Sequence, residues 1–318
     1  MGGYVAGRMA GAMLSLLLVT IALTLLIHLV PGDPVVRILG PRATPELVAS
    51  VRAEMKLDEP IPVQVWDFVT GALHGDLGRD FATQIPVTSL IAEALPNTII
   101  LAVVALLLAV LVGIPLGILA ATHPGSWLDR VTGAASISFT SMPSYVVGLL
   151  LLLLFAVRLD WLPAIGAGDL SDPADYARHL ILPVVALGIG WIGYLARLVR
   201  ASLLEVLNEN YIRTARAWGL SERVVVYRFA LKNALVPTVA VLGVGLGYLM
   251  GGAIIIELIF TRPGLGSLIE TAITDRNWPV VRGTTLIIAL LFIIANLVAD
   301  LSYRRLDPRI ELDEAGGV

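Results

Sequence analysis

Six uninterrupted apolar runs decide what this 318-residue chain can fold into: Met9–Val30, Thr98–Ala121, Gly133–Val157, Leu180–Ala196, Leu235–Glu257 and Thr284–Leu301. Each is near the ~20 residues that a helix needs to cross the hydrocarbon core of a bilayer. The chain is 57% hydrophobic and 15% charged, whereas soluble domains carry roughly 25% charged residues. An all-α polytopic membrane protein with six transmembrane helices is therefore expected. The first run outlasts the ~7–15 residues of a signal-peptide core. It leads into Val30-Pro-Gly-Asp-Pro34 rather than an Ala-x-Ala cleavage pattern, so it is expected to be retained. The absence of cysteine rules out disulfides and thiolate metal ligands.

Basic residues set the orientation. With the N-terminus inside, the cytoplasmic pieces hold Arg8, Arg130, the seven basics between Arg197 and Lys232, and Arg304, Arg305 and Arg309, twelve of the 22. Of the rest, five lie in the long Pro31–Leu95 segment, which counts little because loops beyond ~60 residues translocate regardless of charge. Both termini are expected in the cytoplasm. The net charge of −3 and the lack of a basic stripe with interleaved aromatics give no support for nucleic acid as a partner.

The pattern divides the chain into 1–94, a first span plus an outward-facing insert; 95–305, a core of five spans; and 306–318, a cytoplasmic tail. Thr44-Pro-Glu46 reads as a helix start, with Thr as cap, Pro at the first position and Glu near the positive end of the dipole. That helix is expected to reach Lys56, a second to cover Val63–Leu73, and Gly75-Asp-Leu-Gly78 to form turns. The insert has too few apolar residues for a core of its own. Pro115 is expected to interrupt the second span and Pro143 the third. The hydroxyls of Ser136, Ser138, Thr140, Ser141 and Ser144 either re-satisfy freed carbonyls or line a polar passage. Gly243, Gly247 and Gly251, four apart in the fifth span, allow close helix packing or a seam on which two subunits rock; Gly113 and Gly117 repeat the spacing.

Between the fourth and fifth spans the chain turns polar, at about 197–235. One helix is expected from Arg197 to Trp218, ended by Gly219 as a left-handed cap. Ser221 then caps a second helix toward Asn233, which Pro237 keeps from merging smoothly into the fifth span. The result is an elbow projecting into the cytoplasm. Taken alone, its basic residues fit an ordinary loop that obeys the positive-inside rule.

The residues of the elbow carry more. Tyr211, Arg213, Thr214, Ala215, Arg216, Ala217, Gly219 and Leu220, then Leu231, Lys232, Asn233, Ala234, Leu235 and Pro237, follow a recognisable pattern. It resembles the coupling loop of ABC-importer permeases of the peptide/nickel class. Further resemblances, in order, are Leu29-Val-Pro-Gly-Asp-Pro34, Leu57-Asp-Glu-Pro60, Gly75-Asp-Leu-Gly78, Leu95-Pro-Asn-Thr98, Glu257-Leu-Ile-Phe-Thr-Arg-Pro-Gly-Leu-Gly266, Arg276-Asn-Trp-Pro279 and Leu306-Asp-Pro-Arg-Ile310. Lys56 and Val65 depart from a customary glycine and tyrosine. Trp218 and Phe229 stand where lysine and histidine are usual. Both are expected at the partner surface, so a matching ATPase would present a more apolar groove.

The resemblance implies a type I ABC-importer transmembrane fold, with an extracytoplasmic insert typical of the first of two permeases, in a bacterial or archaeal cytoplasmic membrane. It implies a second permease, two ATP-binding subunits or one fused ATPase, and an extracytoplasmic binding protein delivering peptides, a nickel complex, glutathione or a related solute. By the same resemblance, Arg213, Thr214, Ala215, Arg216, Ala217, Trp218, Gly219 and Leu220 would grip the ATPase, with Asn233 and Pro237 anchoring the loop.

The chain lacks Gly-x-x-x-x-Gly-Lys-(Ser/Thr), so it is expected to carry no cofactor, with ATP and Mg on partner subunits. Its four histidines have no ligand spacing, and no nucleophile–base constellation appears; no enzyme activity is expected. Glu257 either sits at the outer mouth or pairs with Arg262. The scarcity of mid-span charge weighs against the alternative of a secondary carrier or channel working without an ATPase. A scaffold without transport is the third reading.

Overall fold

The computed structural model describes residues 2–29, 44–46, 49, 52, 58–169 and 171–306. The Val30–Pro34 segment, most of the expected Thr44–Lys56 helix, Lys56 and Leu57, and the tail 307–318 lie outside them; Pro45 and Glu46 are helical directly after Thr44. Among the described residues the fold is helical, with one isolated bridge between Arg79 and Pro86. In order the helices are α1 (Gly2–Leu29), α2 (Ile61–Leu73), α3 (Val87–Thr122), α4 (Trp127–Ser141), α5 (Ser144–Leu151), α6 (Pro173–Leu207), α7 (Asn210–Ala217), α8 (Glu222–Val224), α9 (Leu231–Ala234), α10 (Val236–Ile259), α11 (Leu265–Thr274) and α12 (Trp278–Leu306). Wider π turns extend α5 over Leu152–Arg158 and join α8 to α9 over Val225–Ala230.

Among the described residues five helices are long and apolar enough to cross a membrane: Gly7–Leu26, Val87–Thr122, Pro173–Leu207, Val236–Ile259 and Trp278–Val298. The third expected span is not one straight helix. It is the pair Trp127–Ser141 and Ser144–Arg158, bent by 102°. The residue before a proline is pushed out of the helical region, and Met142 is extended at φ −90°, ψ 126°. The chain breaks outright rather than kinking, and Pro143 serves as the N-cap of α5. Thr140 donates to the Ser136 carbonyl at 2.8 Å, within α4. Pro115 interrupts nothing: α3 runs through it for 36 residues and starts well before Thr98.

The chain packs as two compact units. One unit comprises Met1–Thr98 with Thr261–Ile293. In it the insert completes its apolar core with later helices: Phe68, Leu77, Val87 and Ile91 are buried together with Leu265, Trp278, Val280 and Val281. Gly75 and Gly78 form the expected turns, at φ +81° and +88°. Asn277 donates to Asp80 at 2.9 Å, the Leu265 amide donates to the Thr98 hydroxyl at 2.9 Å, and the Arg282 guanidinium lies 4.9 Å from the Phe68 ring centre.

The other unit, Ile99–Phe260 with Ile294–Val318, is organised around α6. Lipid offers no hydrophobic drive for helix association, so close backbone approach at small residues holds such helices together. A Cβ on Gly113 would stand 2.8 Å from the Ile192 carbonyl, and one on Gly117 2.6 Å from that of Ala196. On α10 the pressed glycines are Gly245, against the Trp191 ring at 2.6 Å, and Gly252, against Leu187 at 3.0 Å. The face of Gly243, Gly247 and Gly251 expected for packing lies on the same helix. Gly247 is buried, while Gly251 is exposed with open space around it.

Candidate functional site

The elbow is built from the root of α6 outward. The helix does not run unbroken to Trp218. It ends at Leu207, turns at Asn208–Glu209 and restarts as α7. α7 ends in a Schellman motif: the Gly219 amide donates to the Arg216 carbonyl at 2.9 Å and the Leu220 amide to the Ala215 carbonyl at 3.4 Å. The motif requires a left-handed residue between them, and Gly219 supplies it at φ +78°. Ser221 occupies the next cap position with extended backbone, but its hydroxyl makes no capping bond. Arg216 reaches across the turn to Glu222 with Nε–Oε1 at 2.8 Å and Nη2–Oε2 at 3.3 Å. Asn233 Nδ2 donates to the Tyr211 hydroxyl at 2.9 Å, tying α9 back to α7. Pro237 sits in the first turn of α10, two residues after the break at Leu235.

Alternate faces of the elbow differ sharply. Ile212, Ala215, Val225, Val226, Ala230 and Ala234 are buried in one cluster with Ile118, Ala121, Val199 and Leu203, and Leu220 and Phe229 pack against it. Arg213, Thr214, Ala217, Gly219, Arg223 and Arg228 are exposed. Trp218 is 77% exposed and Tyr227 58%. Of the two departures from the family pattern, Trp218 lies on the outer surface, whereas Phe229 is half-buried against the elbow's own core. It lies in the π segment Val225–Ala230. Of the eight residues singled out here, Ala215 is structural, Leu220 is half-buried, and the remaining six are exposed. A basic and aromatic tip on a packed support can bind a groove and transmit force.

One pair that sequence reading passed over ties the elbow's root to α4. Arg200, two turns before the end of α6, forks onto Asp129, with Nη2–Oδ2 at 2.8 Å and Nε facing Oδ1. Asp129 is buried, and Oδ2 also accepts the Gly125 amide at 2.9 Å. Their separation of 71 positions leaves no local signal. Glu257 and Arg262 are both wholly buried. Among the described residues no group of three or more His, Asp or Glu is placed to hold a metal.

Residues 113–312 match the family described as the binding-protein-dependent transport system inner membrane component, and residues 1–102 match the N-terminal part of such membrane components. A probable peptide ABC transporter permease protein, y4tP, of Sinorhizobium fredii is 39% identical over 98% of this chain and 99% of its own length. The glutathione transport system permease protein GsiC of Salmonella choleraesuis is 39% identical over 96% of this chain and 98% of its own. A putative peptide transport system permease protein of Brucella abortus is 42% identical, covering 98% and 100%. Among solved structures, the MetNI methionine ABC transporter in inward-facing conformations aligns with a TM-score of 0.58 at 21% identity, over 69% of this chain and 96% of that one. An amino acid ABC transporter aligns with 0.56 at 18% identity, over 69% and 94%. These two likenesses speak for the fold.

Proposed function

The chain belongs to the family of binding-protein-dependent transport system inner membrane components, the permease subunits of ABC importers, and from that premise we propose that it is the first of the two permeases of an importer for peptides or a glutathione-like solute. The names of its relatives support that cargo class. The chain forms half of the pathway through the inner membrane, with both termini in the cytoplasm. A second permease forms the other half, and an extracytoplasmic binding protein delivers the solute.

ATP and Mg are held by two ATP-binding subunits or one fused ATPase, and this chain contributes force transfer rather than chemistry. The observation that carries the reading is the elbow: a tip of Arg213, Trp218, Arg223 and Tyr227 exposed on a closed support. Such a tip suits a groove that is apolar at its centre and acidic at its rim. Closure of the ATPases on ATP pulls the elbows together and rocks the spans from inward- to outward-facing. The open face at Gly251 suits contact with the second permease.

The test is co-purification from mild detergent of the wild-type chain against Arg213→Glu combined with Trp218→Glu. Both side chains are exposed, so the buried support stays intact. An ATP-binding subunit is expected with the wild type and at least about tenfold less with the variant, roughly 1.4 kcal/mol of binding. Absence of any ATPase from intact wild-type complexes overturns the proposal.

A further inference from the structure

α4 and α6 run antiparallel in one continuous register. The Phe139 carbonyl lies 3.5 Å from the site of a Cβ on Gly190, and the Ser136 carbonyl 2.8 Å from that on Gly193. The Asp129–Arg200 fork follows. From Gly190 to Gly193 to Arg200, every advance along α6 is matched by an equal retreat along α4. The ladder covers about 15 Å at 1.5 Å per residue.

Its contacts differ in kind. A glycine lets two backbones touch but offers no knob against sliding. The bidentate fork fixes both separation and orientation. It sits at the end of the ladder nearest the elbow, and the Asp129 carboxylate takes three donors from two directions: Arg200 Nε and Nη2 from α6, and the Gly125 amide from its own loop. The Asp129 amide in turn donates to Ser126 Oγ at 3.2 Å, which locks the first turn of α4. Arg200 stands on the same continuous helix that carries the elbow.

We propose that Asp129 and Arg200 are positioning residues that bolt α4 to α6, so that displacement of the elbow carries α4 with it as one lever while the break at Met142–Pro143 takes up the movement. This rests on the coupling reading above.

The chain's lack of cysteine makes the test direct. Spin labels on cysteines at Val131 of α4 and Arg197 of α6, both exposed, report the separation of the two helices in the assembled transporter, nucleotide-free and vanadate-trapped. In the otherwise wild-type chain the separation should change by less than about 2 Å between states, the scale of ordinary interface shifts. Arg200→Gln and Asp129→Asn should each shift or broaden it on trapping, and the exchanged pair Asp129→Arg with Arg200→Asp should restore it. A wild-type change above about 5 Å, close to a one-turn slip, overturns the bolt. So does an Arg200→Gln protein that keeps the wild-type separation in both states. The wild-type measurement decides even where a variant does not assemble. An assembly that neither retains an ATPase nor traps nucleotide would instead sink the coupling reading.

Discussion

At Gly219 the chain needs a left-handed residue and nothing else: no atom lies within 4 Å of where a Cβ would stand. Its replacement therefore tests backbone strain alone. Gly219→Ala should destabilise the elbow turn by about 1–2 kcal/mol, and Gly219→Asn by less. Hydrogen exchange at the Leu220 amide, which the Schellman motif protects, is the readout. A transporter carrying Gly219→Asp should insert normally, and its ATPase subunits should hydrolyse ATP without transport; normal transport by that variant would show that the turn is not the coupling element. The two departures from the family pattern should separate. Trp218→Lys is expected to weaken ATPase binding with an unchanged melting temperature. Phe229→His is expected to lower the melting temperature, because it places a polar ring against the apolar cluster around Val225 and Ala230.

Among the elements, α6 carries the most consequence. It takes α3 on one side and α4 on another through backbone contacts too close for any side chain. Gly117→Leu would thrust atoms into the Ala196 carbonyl, 2.6 Å from the first of them. Overpacking of this kind costs about 1–3 kcal/mol, and the thermal midpoint of the purified chain should fall accordingly. How much of each element can be read in the sequence depends on where its signal lies. Gly219 and Pro237 act through their own backbone angles, so the two bends of the elbow are legible. Apolar runs mark how much of a helix sits in lipid, not where it ends, so α3 begins at Val87 rather than Thr98. Pro115 and Pro143 look alike in sequence. Of the two, only Pro143 follows a helix end, at a bend of 102°.

For the whole molecule, the class of fold and the place of the elbow follow from hydropathy and punctuation, while the joints between distant segments do not. Asp129 with Arg200 and Asn277 with Asp80 join residues 71 and 197 positions apart, and nothing local in either partner announces the other. The insert shows the same limit. Its own residues are too few for a core, and the structure completes that core with α11 and α12. By the proposed function, ATP hydrolysed by partner subunits moves solute through this chain. The direct test is uptake of glutathione and of a radiolabelled dipeptide into proteoliposomes of the purified complex, with the binding protein outside and ATP inside. Accumulation that requires ATP and is lost in the Arg213→Glu, Trp218→Glu variant is the predicted result. Accumulation by this chain without an ATPase, driven by a proton gradient, would contradict it and make the protein a secondary carrier.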